Sequence, residues 1–188
     1  MSTTTMVLYC DSVVTENGLQ GSTTIYIKDG IITEMYAGVK EIPHHPILRS
    51  SLVIPGFVDI HNHGLGGAND LAEYWLNPEY SQKRLAELGT TSILASVVFP
   101  PDNTVTEQII EKLRSCVGVT TQGAVIEGIH AEGPVIADLG ALPNSSTMDI
   151  PTFKKFVDWL MSRVPVLMMT ISPSIDAQDN FSYGFIHL

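Results

Sequence analysis

Pro55-Gly56-Phe57-Val58-Asp59-Ile60-His61-Asn62-His63-Gly64 is the stretch that decides how the chain is read. From Ile54 to Ile60 it is nearly continuous in apolar residues, the pattern of a parallel strand covered on both faces, and its polar pair emerges only at the carboxyl end. Side chains two apart on a strand share one face and stand roughly 7 Å apart, so His61 and His63 can reach one ion or a close pair of ions. The pair is therefore a candidate set of metal ligands.

Beyond Ser51 the sequence alternates strand-like and helix-like segments, the mark of βα units around a parallel sheet. Strand one is Leu52 to His63. A helix follows with Asn77 as N-cap and Pro78 at its first position, running through Glu79 to Leu88 and stopping at Gly89. Strand two is Thr90 to Phe99. The next helix, Val105 to Cys116, is capped by Asn103 or Thr104 and buries Ile109, Leu113 and Val117 at helical spacing. Strand three is Ala124 to His130. A long loop, Glu132 to Met148, leads to a helix near Ile150 to Arg163 with Phe153, Phe156, Val157 and Leu160 as its apolar stripe, and strand four is Pro165 to Ile171. Four parallel strands with three helices between them make about half of a (β/α) barrel, which normally needs roughly 250 residues and collects its active-site groups at the carboxyl ends of its strands.

Upstream, Met6 to Val14, Thr23 to Lys28 and Ile31 to Tyr36 are β-branched segments punctuated by Asn17-Gly18 and Asp29-Gly30, both hairpin dipeptides. The expected organisation is thus a small antiparallel β domain, a β-sandwich segment over residues 1–50, followed by the first half of an α/β TIM barrel over residues 51–188. His44 and His45, between Pro43 and Pro46, read as solvated loop residues.

The 188 residues are 44% hydrophobic, enough for one core, and carry 10 basic against 20 acidic side chains, a formal charge of −10. That balance repels phosphate backbones and anionic lipid, so nucleic acid and membrane surfaces are excluded as partners. Met1 to Thr5 has no basic segment leading an apolar run, and no stretch approaches a membrane span, so a cytoplasmic protein is expected. Cys10 and Cys116 lie in apolar surroundings and read as buried free thiols.

A second polar cluster, Gly128-Ile129-His130-Ala131-Glu132-Gly133-Pro134, falls at the carboxyl end of strand three. Glu132 there can complete a His, His, Glu group with His61 and His63. Imidazole nitrogens and a carboxylate suit zinc, with iron or another transition ion open, and incomplete protein coordination leaves room for a water that the ion would acidify for attack on a carbonyl carbon. His130 shares the face of Glu132 and reads either as a contact to the substrate or the ligands, or as a packed structural histidine.

The Pro55–Gly64 run resembles the first-strand signature of the amidohydrolase superfamily, and Lys28-Asp29-Gly30-Ile31-Ile32 resembles the small β domain preceding that barrel. Gly89-Thr90-Thr91-Ser92 and the Gly128–Pro134 run resemble the N-acetylglucosamine-6-phosphate deacetylases within it. The similarity covers nearly the whole chain but only the first half of that family's length. It implies metal-dependent hydrolysis of an N-acetyl amide on an amino sugar. It also implies that Glu132 is a metal ligand and that His61 and His63 can hold a second ion. The later histidines and the aspartate serving as general acid and base belong to the second half, beyond Leu188, so no catalytic residue is assigned within this chain. The family's sugar-contacting Lys-Gly-Ala-His reads Leu139-Gly140-Ala141-Leu142 here. Ala141, Leu142 and His130 are the candidate substrate contacts, and the loss of a histidine at Leu142 keeps another N-acyl or cyclic amide open as substrate. His187, in the tail, matches no family motif and is assigned no role. A reading of another class is a non-catalytic fragment or partner subunit, and pairing of two copies into a homodimer that closes eight strands is a third.

Overall fold

The computed structural model describes residues 4–41, 45, 47–65, 71–99, 103–119, 123–134, 136 and 150–172. It divides into two compact units, Met1–Pro55 and Gly56–Leu188.

In the first unit, β1 (Thr5–Thr15), β2 (Gly18–Gln20), β3 (Thr23–Lys28), β4 (Ile31–Ala37) and β5 (Ile47–Val53) form one five-stranded sheet in the order β2-β1-β3-β4, with β5 also on β1. The hairpins turn where the Asn-Gly and Asp-Gly dipeptides predict: Gly18 has φ 92°, and Asp29 and Gly30 have φ 50° and 81°. Only glycine and short polar residues adopt this left-handed region at low cost. Two corrections follow from the pairing. The sheet is mixed rather than antiparallel, because β5 runs parallel to β1, Val7 opposite Ile47 and Val13 opposite Val53. The short β2 has too few residues to show alternation, so the sequence does not reveal it. Cys10, Val13 and Ile25 make the buried centre of this unit. His45 is half-buried, its ring edge-on to Tyr26 at 5.8 Å, rather than solvated; His44 lies outside the described residues.

The second unit contains β6 (Phe57–Asn62), a 3-10 helix (Leu71–Leu76), α1 (Pro78–Glu87), β7 (Thr90–Val98), α2 (Asn103–Cys116), β8 (Val125–Glu132), α3 (Ile150–Met161) and β9 (Val166–Thr170). Its four strands are all parallel and ordered β6-β7-β8-β9, so the βα rhythm of the sequence is realised as a parallel sheet with crossover helices. Asn77 caps α1 by accepting a hydrogen bond from the Tyr80 amide at 3.3 Å, Pro78 occupies the first turn, and Gly89 (φ 92°) ends the helix. Ile109 and Leu113 of α2, Phe153 and Leu160 of α3, and Ile126 and Ile129 of β8 are essentially sealed from water. Cys116 is buried and, like Cys10, a free thiol. No helix among the described residues is long and apolar enough to cross a membrane.

The decisive stretch itself is corrected twice. The strand expected from Leu52 to His63 is two strands in two different sheets, β5 and β6, with residues 54–56 between them. Pro55 has no N–H to give a ladder and interrupts the strand there. The apolar residues of β6 are also not buried: Phe57, Val58 and Ile60 are exposed, since β6 pairs with β7 alone among the described strands and no described element covers these side chains. A continuous apolar run marks a strand that can be covered, not one that is.

Candidate metal centre

β6 and β8 are not neighbours. β7 lies between them, which puts their axes roughly 10 Å apart. Side chains from both nevertheless meet above the carboxyl end of the sheet. His61 is the next-to-last residue of β6, His63 immediately follows β6, and Glu132 is the last residue of β8 rather than part of a loop. The His61 Nε2 stands 3.2 Å from His63 Nε2 and 3.3 Å from Glu132 Oε2, and His63 Nε2 is 3.1 Å from the same oxygen. Among the described residues these three make a group of donors able to hold a metal ion, all within 4.8 Å of one another.

The strand end and the following loop that carry the imidazoles are tied down at several points. The Asp59 carboxylate accepts from the His61 amide at 3.0 Å and from the Asn62 side-chain amide at 2.8 Å, and the Asn62 carbonyl oxygen accepts from the Gly64 amide at 2.8 Å. Ser81, buried on α1, then both accepts from the Leu65 amide and donates to the Leu65 carbonyl, each at 2.9 Å. Gly64 has φ 84°, a conformation that strains any other residue, and a Cβ there would stand a tight 3.1 Å from Ser81 Oγ. Trp75 of the 3-10 helix donates to the Ser96 carbonyl at 2.8 Å, fixing β7 beneath the group.

His130 sits deeper, 1% exposed. Its Nδ1 is 2.8 Å from Ser96 Oγ on β7 and its Nε2 2.7 Å from Thr170 Oγ1 on β9. Both ring nitrogens are therefore engaged, and a neutral imidazole, one donor and one acceptor, suits two hydroxyls that can serve as either. Burial lowers its pKa below the ordinary histidine value; His61 and His63 push the same way, and Glu132 opposes them. The His63 pKa is also lowered, by burial first and by His61, against the opposing Glu132 carboxylate and Ser96 backbone. Its Nδ1 is buried without a hydrogen-bond partner of good geometry.

Three features of this arrangement fit a divalent cation. Donors about 2.0–2.1 Å from a tetrahedral ion stand about 3.3–3.4 Å apart, close to the spacings seen here. Two imidazoles and a single carboxylate oxygen cannot all pair by hydrogen bonds: if both Nε2 atoms carry protons they oppose each other, and if either does not, its lone pair faces the anion. The donor set is also one that zinc and similar ions accept.

Of the residues that the sequence singled out, the fold brings together His61, His63 and Glu132, with His130 beneath them and linked elsewhere. Ala141 and Leu142, with Leu139 and Gly140, lie outside the described residues, as does His187. Sequence reasoning missed Asp59, Asn62, Ser81, Ser96, Trp75 and Thr170. Asp59 and Asn62 were discoverable as the polar residues interleaved with the histidines, whereas hydroxyl residues inside strands carry no such signal.

No family model matches the chain. It is similar to the N-acetylglucosamine-6-phosphate deacetylase of Bacillus subtilis (strain 168), 28% identical over 154 residues, taking in 77% of this chain and 39% of that protein. Among solved structures it resembles a mutant N-acetyl-D-glucosamine-6-phosphate deacetylase of Mycobacterium smegmatis in complex with N-acetyl-D-glucosamine-6-phosphate, with a TM-score of 0.61, 25% identity, and coverage of 90% of this chain and 44% of that one. The fold is likewise similar to that of the Pasteurella multocida N-acetylglucosamine-6-phosphate deacetylase, with a TM-score of 0.67, 17% identity, and coverage of 96% and 49%. The chain thus resembles the N-terminal part of these deacetylases and spans less than half the length of each.

Proposed function

We propose that these residues form the N-terminal part of a metal-dependent amidohydrolase of the N-acetylglucosamine-6-phosphate deacetylase type, the first half of a (β/α) TIM barrel preceded by a small β domain. The observation that carries the reading is the meeting of His61 Nε2, His63 Nε2 and Glu132 Oε2 at 3.1–3.3 Å across an intervening strand. A divalent ion, zinc in the first place, would supply Lewis acidity for cleaving a C–N amide bond. His61 and His63 would offer it neutral imidazoles, a role helped by the lowered pKa of His63. Glu132, nearly buried, would offset its charge, while Asp59, Asn62 and Ser81 hold the loop in place. The N-acetyl group of a phosphorylated amino sugar is the proposed substrate, and a cytoplasmic setting accompanies it.

The metal-holding role of His61, His63 and Glu132 can be tested in this chain separately from turnover. The sequence Leu139-Gly140-Ala141-Leu142, where the resembled family has Lys-Gly-Ala-His, supports a second reading, an amidohydrolase of a different N-acyl or cyclic amide, since a leucine in place of that histidine would offer a sugar hydroxyl no partner, at a cost of about 1–3 kcal/mol. The test is metal content and affinity of the wild-type chain beside His61→Asn and Glu132→Gln. We expect at least a ~10-fold weaker association for either variant. Equal metal content in all three overturns the site.

A further inference from the structure

The three strands β7, β8 and β9 are joined below the candidate ligands by one side-chain chain, Ser96 Oγ to His130 Nδ1 and His130 Nε2 to Thr170 Oγ1. With both nitrogens committed to hydroxyls at 2.8 and 2.7 Å, His130 has no free donor atom for a metal or a substrate. What it does present is its ring. The His130 and His61 rings meet edge to face, with centroids 4.7 Å apart and planes at 86°. His61 needs such a support more than its partners do. Its side chain is 49% exposed, against 22% for His63 and 10% for Glu132, and β6, which carries it, is the edge of the sheet. The His63 ring also lies 5.2 Å from the His61 ring, tilted by 58°, but it belongs to the ligand group itself, so His130 is the ring neighbour that is anchored independently of the ligands.

We propose that His130 is a positioning residue for His61: clamped between Ser96 and Thr170, it is the fixed ring against which the His61 ring sets its angle. The inference rests on the reading of His61, His63 and Glu132 as metal ligands. It separates hydrogen bonding, which anchors His130, from ring shape, which orients His61. Glutamine at position 130 can keep polar links to the hydroxyls but has no ring, whereas phenylalanine keeps the ring and loses the links.

The experiment compares His130→Gln and His130→Phe with the wild-type chain by imidazole NMR of His61 without metal, by titration with Co(II) followed through its visible absorption, and by urea unfolding. In His130→Gln we expect folding stability near wild type, broadened His61 ring resonances, ~10-fold weaker Co(II) binding and an altered Co(II) spectrum. In His130→Phe we expect reduced stability with sharp His61 resonances and, in the folded protein, Co(II) affinity within about threefold of wild type. Wild-type His61 resonances and affinity in His130→Gln overturn the proposal, as does an affinity that simply follows stability across both variants. Failure of the wild type to bind Co(II) overturns the metal reading instead, and the metal-free resonances still decide whether His130 orients His61.

Discussion

Glu132 is 8% exposed, yet it faces two imidazole nitrogens rather than a lysine or arginine. A carboxylate so far from water is costly unless positive charge reaches it, and that requirement is the physical core of the metal reading. The three residues of the group were legible because their types are rare at strand ends without a purpose, and because two positions on one strand share a face. His130 remained ambiguous, since its face was legible but its partners were not: Ser96 and Thr170 look like ordinary strand residues until β7 and β9 are placed on either side. Cys116 tests the same logic on a group with no place in the site. Burial raises its pKa, and Glu79 adds to this while Ser115 and Lys112 oppose it. A raised pKa leaves the thiol protonated through neutral pH, so we expect alkylation of Cys116 by iodoacetamide to be slower than that of a free cysteine at pH 7. Its rate should still be climbing at pH values where an ordinary thiol has levelled off. Peptide-resolved mass spectrometry distinguishes it from Cys10, and a rate at pH 7 equal to that of free cysteine would contradict the buried placement.

Elements are legible in the sequence where several signals agree. The first helix had an N-cap, a first-turn proline and a terminating glycine at compatible spacing, and α1 begins and ends there. The apolar content from Leu52 to His63 suits one continuous strand, but Pro55, which lacks an N–H, lies where the stretch divides between two sheets. The 3-10 helix at Leu71–Leu76 was also missed, being too short for its periodicity to declare itself. Gly128, within β8, shows how an element's neighbours write a constraint that its own sequence only hints at. A Cβ at that position would lie 2.8 Å from the Pro165 carbonyl oxygen and 2.9 Å from Leu167 Cγ, so β9 packs against a bare backbone. The Pro165 carbonyl also accepts from the Ile129 amide at 2.9 Å and cannot withdraw cheaply. We therefore expect Gly128→Ala to cost about 1–3 kcal/mol in urea unfolding. Truncating Leu167 to alanine in the same chain should recover only part of the loss, because the backbone contact remains. Full recovery would show that the side chain alone sets the limit.

At the scale of the whole molecule, the parallel sheet of the described residues ends at β6 and β9, and both carry exposed apolar side chains: Phe57 at 55%, Val58 at 70%, Ile60 at 55% and Leu167 at 59%. The strand count and its βα order were legible from periodicity, but exposure was not, because a sequence records which residues suit burial and not whether a neighbour exists to bury them. Edges of this kind offer unpaired backbone N–H and C=O groups together with apolar area, the combination that natural sheets usually blunt with charge. A polypeptide of these 188 residues should consequently associate with itself through β6. Val58→Lys and Ile60→Lys place charges on that strand at side chains that are 70% and 55% exposed, so each should change unfolding free energy by no more than about 1 kcal/mol. Together they should shift the sedimentation profile toward monomer and reduce the binding of an apolar dye such as ANS. A wild-type chain that sediments as a monomer and leaves the dye dark would mean that the edge is already protected. A double variant that still associates would move the contact to β9, where Leu167→Lys makes the corresponding change.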